Sequence, residues 1–345
     1  MRLSMILCGA CVTLLGIQPL APGQDKGKTS ASKPAASPEK KPPVRPEPTV
    51  ADYAYAKDSP RQVFDFWKAD SKQPTPLVLL IHGGGWRTGD KTGYGTSSIQ
   101  PYLDRGISVA AINYRFIEQA MEHKIEPPVK GCLHDAARAL QTLRSKAKEW
   151  NIDPTRVGAT GSSAGACTSL WLALHDDLAD PKSADPIARQ SSRLTCAAVS
   201  GAQTSLDPKQ LREWMPNAIY GGHAFGFAGP GRSRAEEFEL LIPNREQVLP
   251  WIREYSPIEL VTSDDPPLYL EYPRQKEAPV MGKPEPDPTH SSMYGIQLAK
   301  KTQEKGVELV LTSPQQPSTQ YPTIQSFLIA KLLPSEHSES KEFGA

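Results

Sequence analysis

A serine with glycine two positions away on each side, Gly161-Ser162-Ser163-Ala164-Gly165, follows a short run of small and apolar residues and precedes an apolar stretch over 166–175. That order reads as strand, sharp turn, helix. A side chain at the tip of such a turn sits on strained backbone, so the positions two before and two after it must be nearly bare. The Ser163 hydroxyl then stands clear. The N–H of Ala164, at the positive end of the new helix, faces any negative oxygen that forms beside it. These residue types suit attack by a hydroxyl on an electrophilic carbon, with the resulting oxyanion held by amide protons. Ser162 lacks the flanking glycines, which leaves Ser163 as the candidate nucleophile.

A second motif supplies the rest of that oxyanion site. Residues 77–81, Leu-Val-Leu-Leu-Ile, are wholly apolar and suit a strand buried on both faces of a parallel sheet; His82-Gly83-Gly84-Gly85-Trp86 follows at once. Successive glycines after a buried strand let the backbone approach a ligand closely and present N–H groups to it. Gly83, Gly84 and Gly85 therefore join Ala164 as oxyanion-hole candidates.

On these two motifs the chain resembles the α/β-hydrolase superfamily. Within it, the chain is similar to the HGGG-bearing carboxylesterases of the BD-FAE-like and hormone-sensitive-lipase-like kinds, over about 63–333. The resemblance implies an α/β-hydrolase fold: a mostly parallel central sheet with helices on both faces and a partial cap insertion. It further implies cleavage of carboxylic esters, small or linked to a polysaccharide, through an acyl-enzyme on Ser163, with no cofactor. His82 would brace the glycine loop, and the chain order of the triad would be serine, acid, histidine.

The acid is expected after a strand at 268–270, where Glu271, Glu277, Glu285 and Asp287 are the candidates. Asp287 is chosen because it stands in Asp287-Pro288-Thr289-His290, just ahead of a helix; a helix-capping role is its alternative. The histidine should lie after the last strand, yet residues 312–322 contain none. Tyr321 stands near that position, but a phenol of pKa about 10 is a far weaker base at neutral pH than an imidazole of about 6.5. His290 serves as the base if its loop folds inward, and His337 in the tail is a poorer candidate. If no base is present, the second reading is a catalytically degenerate binding protein that keeps the pocket.

The positioning elements alternate strand and helix, the pattern of a parallel sheet wound on both faces. Strands are expected at 62–67 (antiparallel, at the sheet edge), 77–81, 108–112, 156–160, 194–200, 268–270 and 307–311. Helices are expected at 129–150, 166–175, 290–305 and 323–333, with a break at 151–154. Asp135 is read as a structural acid suited to the helix dipole, and Arg115 as an ion-pair partner. Residues 202–265 are too long for a plain connection and hold Trp214, Tyr220, Phe225, Phe227, Phe238 and Trp251, which suggests a partial cap over the serine.

Composition bounds the rest. Lysines and arginines number 39 against 38 acids and do not cluster in the core region, so a nucleic-acid partner is not indicated. The histidines are scattered without ligand spacing, and no metal is implied. Residues 1–23 (Arg2, an apolar stretch to Ile17, then Ala21-Pro22-Gly23) read as a signal peptide for a secreted or periplasmic protein, with an apolar run too short for a stable membrane span. Residues 24–50 read as a disordered Lys/Pro/Ala/Ser linker, 51–333 as the catalytic domain and 334–345 as a polar tail. Of the cysteines, Cys132, Cys167 and Cys196 remain after cleavage; they allow one disulfide at most and are read as small core residues.

Overall fold

Every residue of strand β3 (Thr75–Ile81) is buried, and its side chains divide by alternation. Leu77, Leu79 and Ile81 enter one core, whereas Val78 and Leu80 enter another. A strand apolar on both faces has to lie inside a sheet covered on both sides. The computed structural model, which describes residues 44–333, shows such a sheet.

Its other strands are β1 (Val50–Ala54), β2 (Val63–Trp67), β4 (Ser108–Ile112), β5 (Ile152–Ser162), β6 (Cys196–Ser200), β7 (Leu268–Glu271) and β8 (Leu309–Thr312). They lie in the order β1-β2-β4-β3-β5-β6-β7-β8. β2 runs antiparallel to both of its neighbours, and all pairings from β4 to β8 are parallel. The helices are α1 (Thr96–Leu103), α2 (Ile117–Glu122), α3 (Pro128–Ser145), α4 (Ala147–Trp150), α5 (Ala164–Leu174), α6 (Pro208–Trp214), α7 (Arg234–Tyr255), α8 (Met293–Lys305) and α9 (Ile324–Leu332). α3, α5 and α8 pack on the face that bears Leu79. α1 and α9 cover the face that bears Leu80. The fold is thus the mostly parallel, doubly covered α/β sheet.

Several boundaries differ from the sequence expectation, each for a physical reason. The strand at 62–67 is antiparallel but not at the edge, because β1 lies outside it. Residues 44–50, assigned above to the linker, are held against the domain. Asp65 is fully buried and recruits Arg45 at 2.6 Å and Lys91 at 2.7 Å, while the Trp67 indole donates to Pro46 O at 2.9 Å. A carboxylate removed from water needs such partners.

The helix expected over 129–150 breaks between α3 and α4 at Lys146. Residues 151–154 do not form a long breaker. Asn151 alone is left-handed, with φ 59°, and β5 starts at the next residue. Asp135 lies too far into α3 to serve the dipole. It accepts from Arg115 at 2.6 Å and from Gln62 at 2.8 Å, and so fastens the end of β4 to α3.

The insertion over 202–265 is built around α6 and the 22-residue α7, which a capping box of Ser233 and Glu236 starts. Cys132, Cys167 and Cys196 are buried and unpaired, so none forms the disulfide their number allowed. The signal-peptide, tail and His337 readings fall outside the described residues. No helix among the described residues is long and apolar enough to cross a membrane.

Candidate active site

Ser163 sits between β5 and α5 with φ 52° and ψ −121°, a conformation that non-glycine residues avoid and that tertiary packing must enforce. The enforcement is visible in its neighbours. A Cβ on Gly161 or on Gly165 would run into the carbonyl oxygen of Ile81 at the end of β3. Only bare residues allow the turn to lie this close to β3, and the turn is pinned again from the side where Ser163 N–H donates to Ser200 O at 3.0 Å.

A hydrogen-bonded chain runs from the serine. Ser163 Oγ lies 3.0 Å from His290 Nε2, and His290 Nδ1 lies 2.8 Å from Asp287 Oδ2. A carboxylate can only accept, so Nδ1 carries the proton and Nε2 presents its lone pair to the serine hydroxyl. The second carboxylate oxygen, Oδ1, accepts from the backbone N–H of Thr289 at 3.2 Å and of His290 at 3.3 Å. Asp287 therefore fixes both the ring and the loop that carries it.

His290 precedes α8 rather than starting a helix at 290, since α8 begins at Met293. Its loop is braced by Gln203, whose side-chain amide donates to Thr289 O at 2.6 Å, and by Gln275, which accepts from Ser292 N–H at 2.9 Å.

Gly84 and Gly85 line the same cavity as Ser163 and His290. Their N–H groups, like that of Ala164, have no backbone acceptor among the described residues and remain available. Gly83 lies one step behind, its Cα so close to Ser162 that a Cβ would meet that residue's carbonyl oxygen at 2.6 Å. His82 Nδ1 donates to Gly83 O at 2.8 Å, Tyr114 donates to His82 O at 2.7 Å, and Arg61 donates to His82 Nε2 at 3.3 Å. Burial lowers the His82 pKa to about 4, and the nearby Arg61 charge acts in the same direction. His82 is thus a neutral strut under the glycine loop and does not reach Ser163.

The remaining sequence candidates stay apart from the serine. Tyr321 packs against Phe327 at 5.1 Å between ring centroids, beneath Lys331, and does not line the cavity. Glu271 closes β7 and is half-buried, with burial raising its pKa. Glu277 is exposed, and Glu285 is buried with Gln275 and Ser291 as its partners. Tyr220, read from the sequence as one of the cap aromatics, lines the cavity; residues missed from the sequence are Arg234, from the insertion, and Arg274, from the loop after β7, which line it too. Nothing local marks the two arginines, because only the paths of the insertion and of the loop after β7 bring them to the serine. The cavity measures about 490 Å³ and shares Arg274, Asp287 and His290 with a second one of about 550 Å³.

The sheet order, the strained serine between strand and helix, and the opening at the carboxyl ends of the parallel strands define an α/β-hydrolase. Residues 65–275, more than half of the chain, match the family model BD-FAE, and the chain belongs to that family. It is similar to the probable isoprenylcysteine alpha-carbonyl methylesterase ICMEL1 of Arabidopsis thaliana, 27% identical over 138 residues that cover 40% of this chain and 27% of that protein. It is also similar to the carboxylesterase NlhH of Mycobacterium tuberculosis (strain ATCC 25618 / H37Rv), 29% identical over 136 residues that cover 39% of this chain and 40% of that one. The matched segments thus span well under half the length of these curated relatives. Among solved structures, a truncated carbohydrate esterase from gut microbiota shares the fold with a TM-score of 0.60 at 18% identity, over 84% of this chain and 99% of that one.

Proposed function

We propose that this protein is a serine-dependent carboxylic-ester hydrolase, with Ser163 as nucleophile, His290 as base and Asp287 as the acid that orients it. The observation that carries the reading is the unbroken hydrogen-bond chain Ser163–His290–Asp287, at 3.0 Å and 2.8 Å. His290 Nε2 takes the hydroxyl proton as Oγ attacks the ester carbonyl, and Asp287 stabilises the imidazolium that forms. The oxyanion is held by the N–H of Ala164 and those of the glycine loop. His290 then gives its proton to the departing alcohol, leaving an acyl-enzyme on Ser163. Water, deprotonated by the same ring, releases the acid.

Membership of a family whose relatives include esterases supports this reading. The binding-only alternative arose from the absence of a histidine after β8, and the position of His290 weighs against it. For the substrate we favour an acylated carbohydrate or another small ester, since a cavity of about 490 Å³ is larger than a short acyl chain requires. We further propose that the domain is exported, with residues 1–23 removed as a leader. N-terminal sequencing of protein recovered outside the cytoplasm tests that point.

Release of 4-nitrophenol from the acetate and butyrate esters, with wild type and Ser163→Ala compared, tests the enzyme, together with labelling by a fluorophosphonate. Turnover and labelling that both vanish in Ser163→Ala are expected. Neither activity in the wild type from neutral to alkaline pH would leave only the binding reading.

A further inference from the structure

Arg234 is the one partly buried arginine among the described residues that donates no hydrogen bond to a carboxylate or a carbonyl. It is the first residue of α7, reaches into the Ser163 cavity, and lays its guanidinium against Gly85 of the glycine loop and over the ring of Tyr220, 5.2 Å from the centroid. Tyr220 is itself buried, with Arg234 as the cation beside its hydroxyl. A partly buried guanidinium that no protein carboxylate or carbonyl engages is free to pair with an acceptor that a ligand brings.

The second cation of the cavity, Arg274, comes from a different element, the loop after β7. It makes no ion pair or side-chain hydrogen bond among the described residues and lines both cavities beside His290. Against these two charges the cavity offers one carboxylate, Asp287, whose oxygens are both engaged with the His290 loop. The cavity beside the nucleophile therefore carries two cations against one carboxylate, and neither arginine is paired with it.

Resting on the ester-hydrolase reading above, we propose that the substrate carries an anionic group, a carboxylate or a sulfate, near the scissile ester, and that Arg234 and Arg274 select for it. The planar fork of a guanidinium matches both groups, and the partial burial of Arg234 strengthens its contact, whereas Arg274 is exposed.

Matched esters test the selection and locate the anion. 4-Nitrophenyl hemisuccinate against 4-nitrophenyl butyrate places it on the acyl side; O-acetylated galacturonate and O-acetylated galactose 6-sulfate against O-acetylated galactose place it on the alcohol side. The wild type is expected to favour an anionic member by about tenfold or more in kcat/KM, and about 0.5 M NaCl to narrow that preference. In Arg234→Gln and Arg274→Gln the preference falls through a raised KM for the anionic ester. Arg253→Gln, exposed on α7, keeps it.

No preference in any set overturns the proposal. So does an equal fall in kcat on neutral and anionic esters in Arg234→Gln, which would assign that residue to the oxyanion site instead. A protein that turns over none of these esters defeats the hydrolase reading separately. Calorimetry of galacturonate, galactose 6-sulfate and galactose on Ser163→Ala then decides: an anionic sugar bound in preference to galactose and lost on Arg234→Gln supports anion selection, and equal or absent binding overturns it.

Discussion

The imidazole of His290 meets the hydroxyl of Ser163 at 3.0 Å although 127 residues separate them in the chain. The contact depends on the segment between β7 and α8 turning back over the carboxyl ends of the strands, held there by Gln203 and Gln275. Both the ring and its carboxylate partner come from this one segment, so the whole relay moves or stays as a unit.

Removal of the ring therefore removes the base. His290→Ala is expected to lower kcat on 4-nitrophenyl acetate by about 10³-fold or more, and Ser163→Ala/His290→Ala to be little worse than either single change, because the members act together. Tyr321→Phe stays within about twofold of wild type, since it keeps the ring packed on Phe327 and removes only a hydroxyl outside the cavity. A large loss in Tyr321→Phe with none in His290→Ala would reverse the assignment.

Asp287 does two jobs that one substitution separates. Asn at this position keeps an oxygen for the amides of Thr289 and His290 but can no longer accept from Nδ1–H and offset the imidazolium charge. Asp287→Asn should leave the melting temperature near wild type while kcat falls by about 10²- to 10⁴-fold. A collapse of melting temperature would make Asp287 chiefly a loop anchor.

How far these features could be read in advance follows from how local their causes are. The serine turn and the glycine loop are written in consecutive residues, and β3 and β4 in unbroken apolar runs, so their types and places were legible. The position of His290 was not, because residues far off in sequence, Gln203 among them, fix its loop. α7 was hidden by Pro243 and Pro250, which argue against a helix locally and are tolerated within this one. β1 was masked by the Pro- and Lys-rich sequence before it; the buried charge of Asp65, which takes up Arg45 and the Asp52 amide, is what holds this edge and is remote in sequence.

The close approach of β3 to the serine turn predicts intolerance of a single methyl. Gly165→Ala would drive Cβ into the carbonyl oxygens of Ile81 and His82, backbone atoms that cannot swing away. A loss of ~3 kcal/mol in urea unfolding is expected, or failure to accumulate as soluble protein. Gly93→Ala, whose Cβ would meet no heavy atom within 4 Å, is the control and should change stability by less than about 0.5 kcal/mol.

Acid should weaken the fold before its carboxylates titrate. Burial lowers the pKa of His82 and of His134 to about 4 and that of His223 well below the ordinary range. Between about 6.5, where an unfolded histidine takes its proton, and about 4, the unfolded chain binds more protons than the native one, so stability falls as pH falls through that window. For His82 alone the loss approaches on the order of 3 kcal/mol at its acid end. Asp65 acts later: burial would raise its carboxyl, but the Asp52 amide, Lys91 and Arg45 outweigh that and hold it below the usual range, so its share is lost only below about 4. Urea midpoints should therefore decline from pH 6.5 to 4.5. His82→Gln, which keeps a donor for Gly83 O but cannot titrate, should flatten part of that slope, and an unchanged slope would mean that His82 is already protonated in the native state.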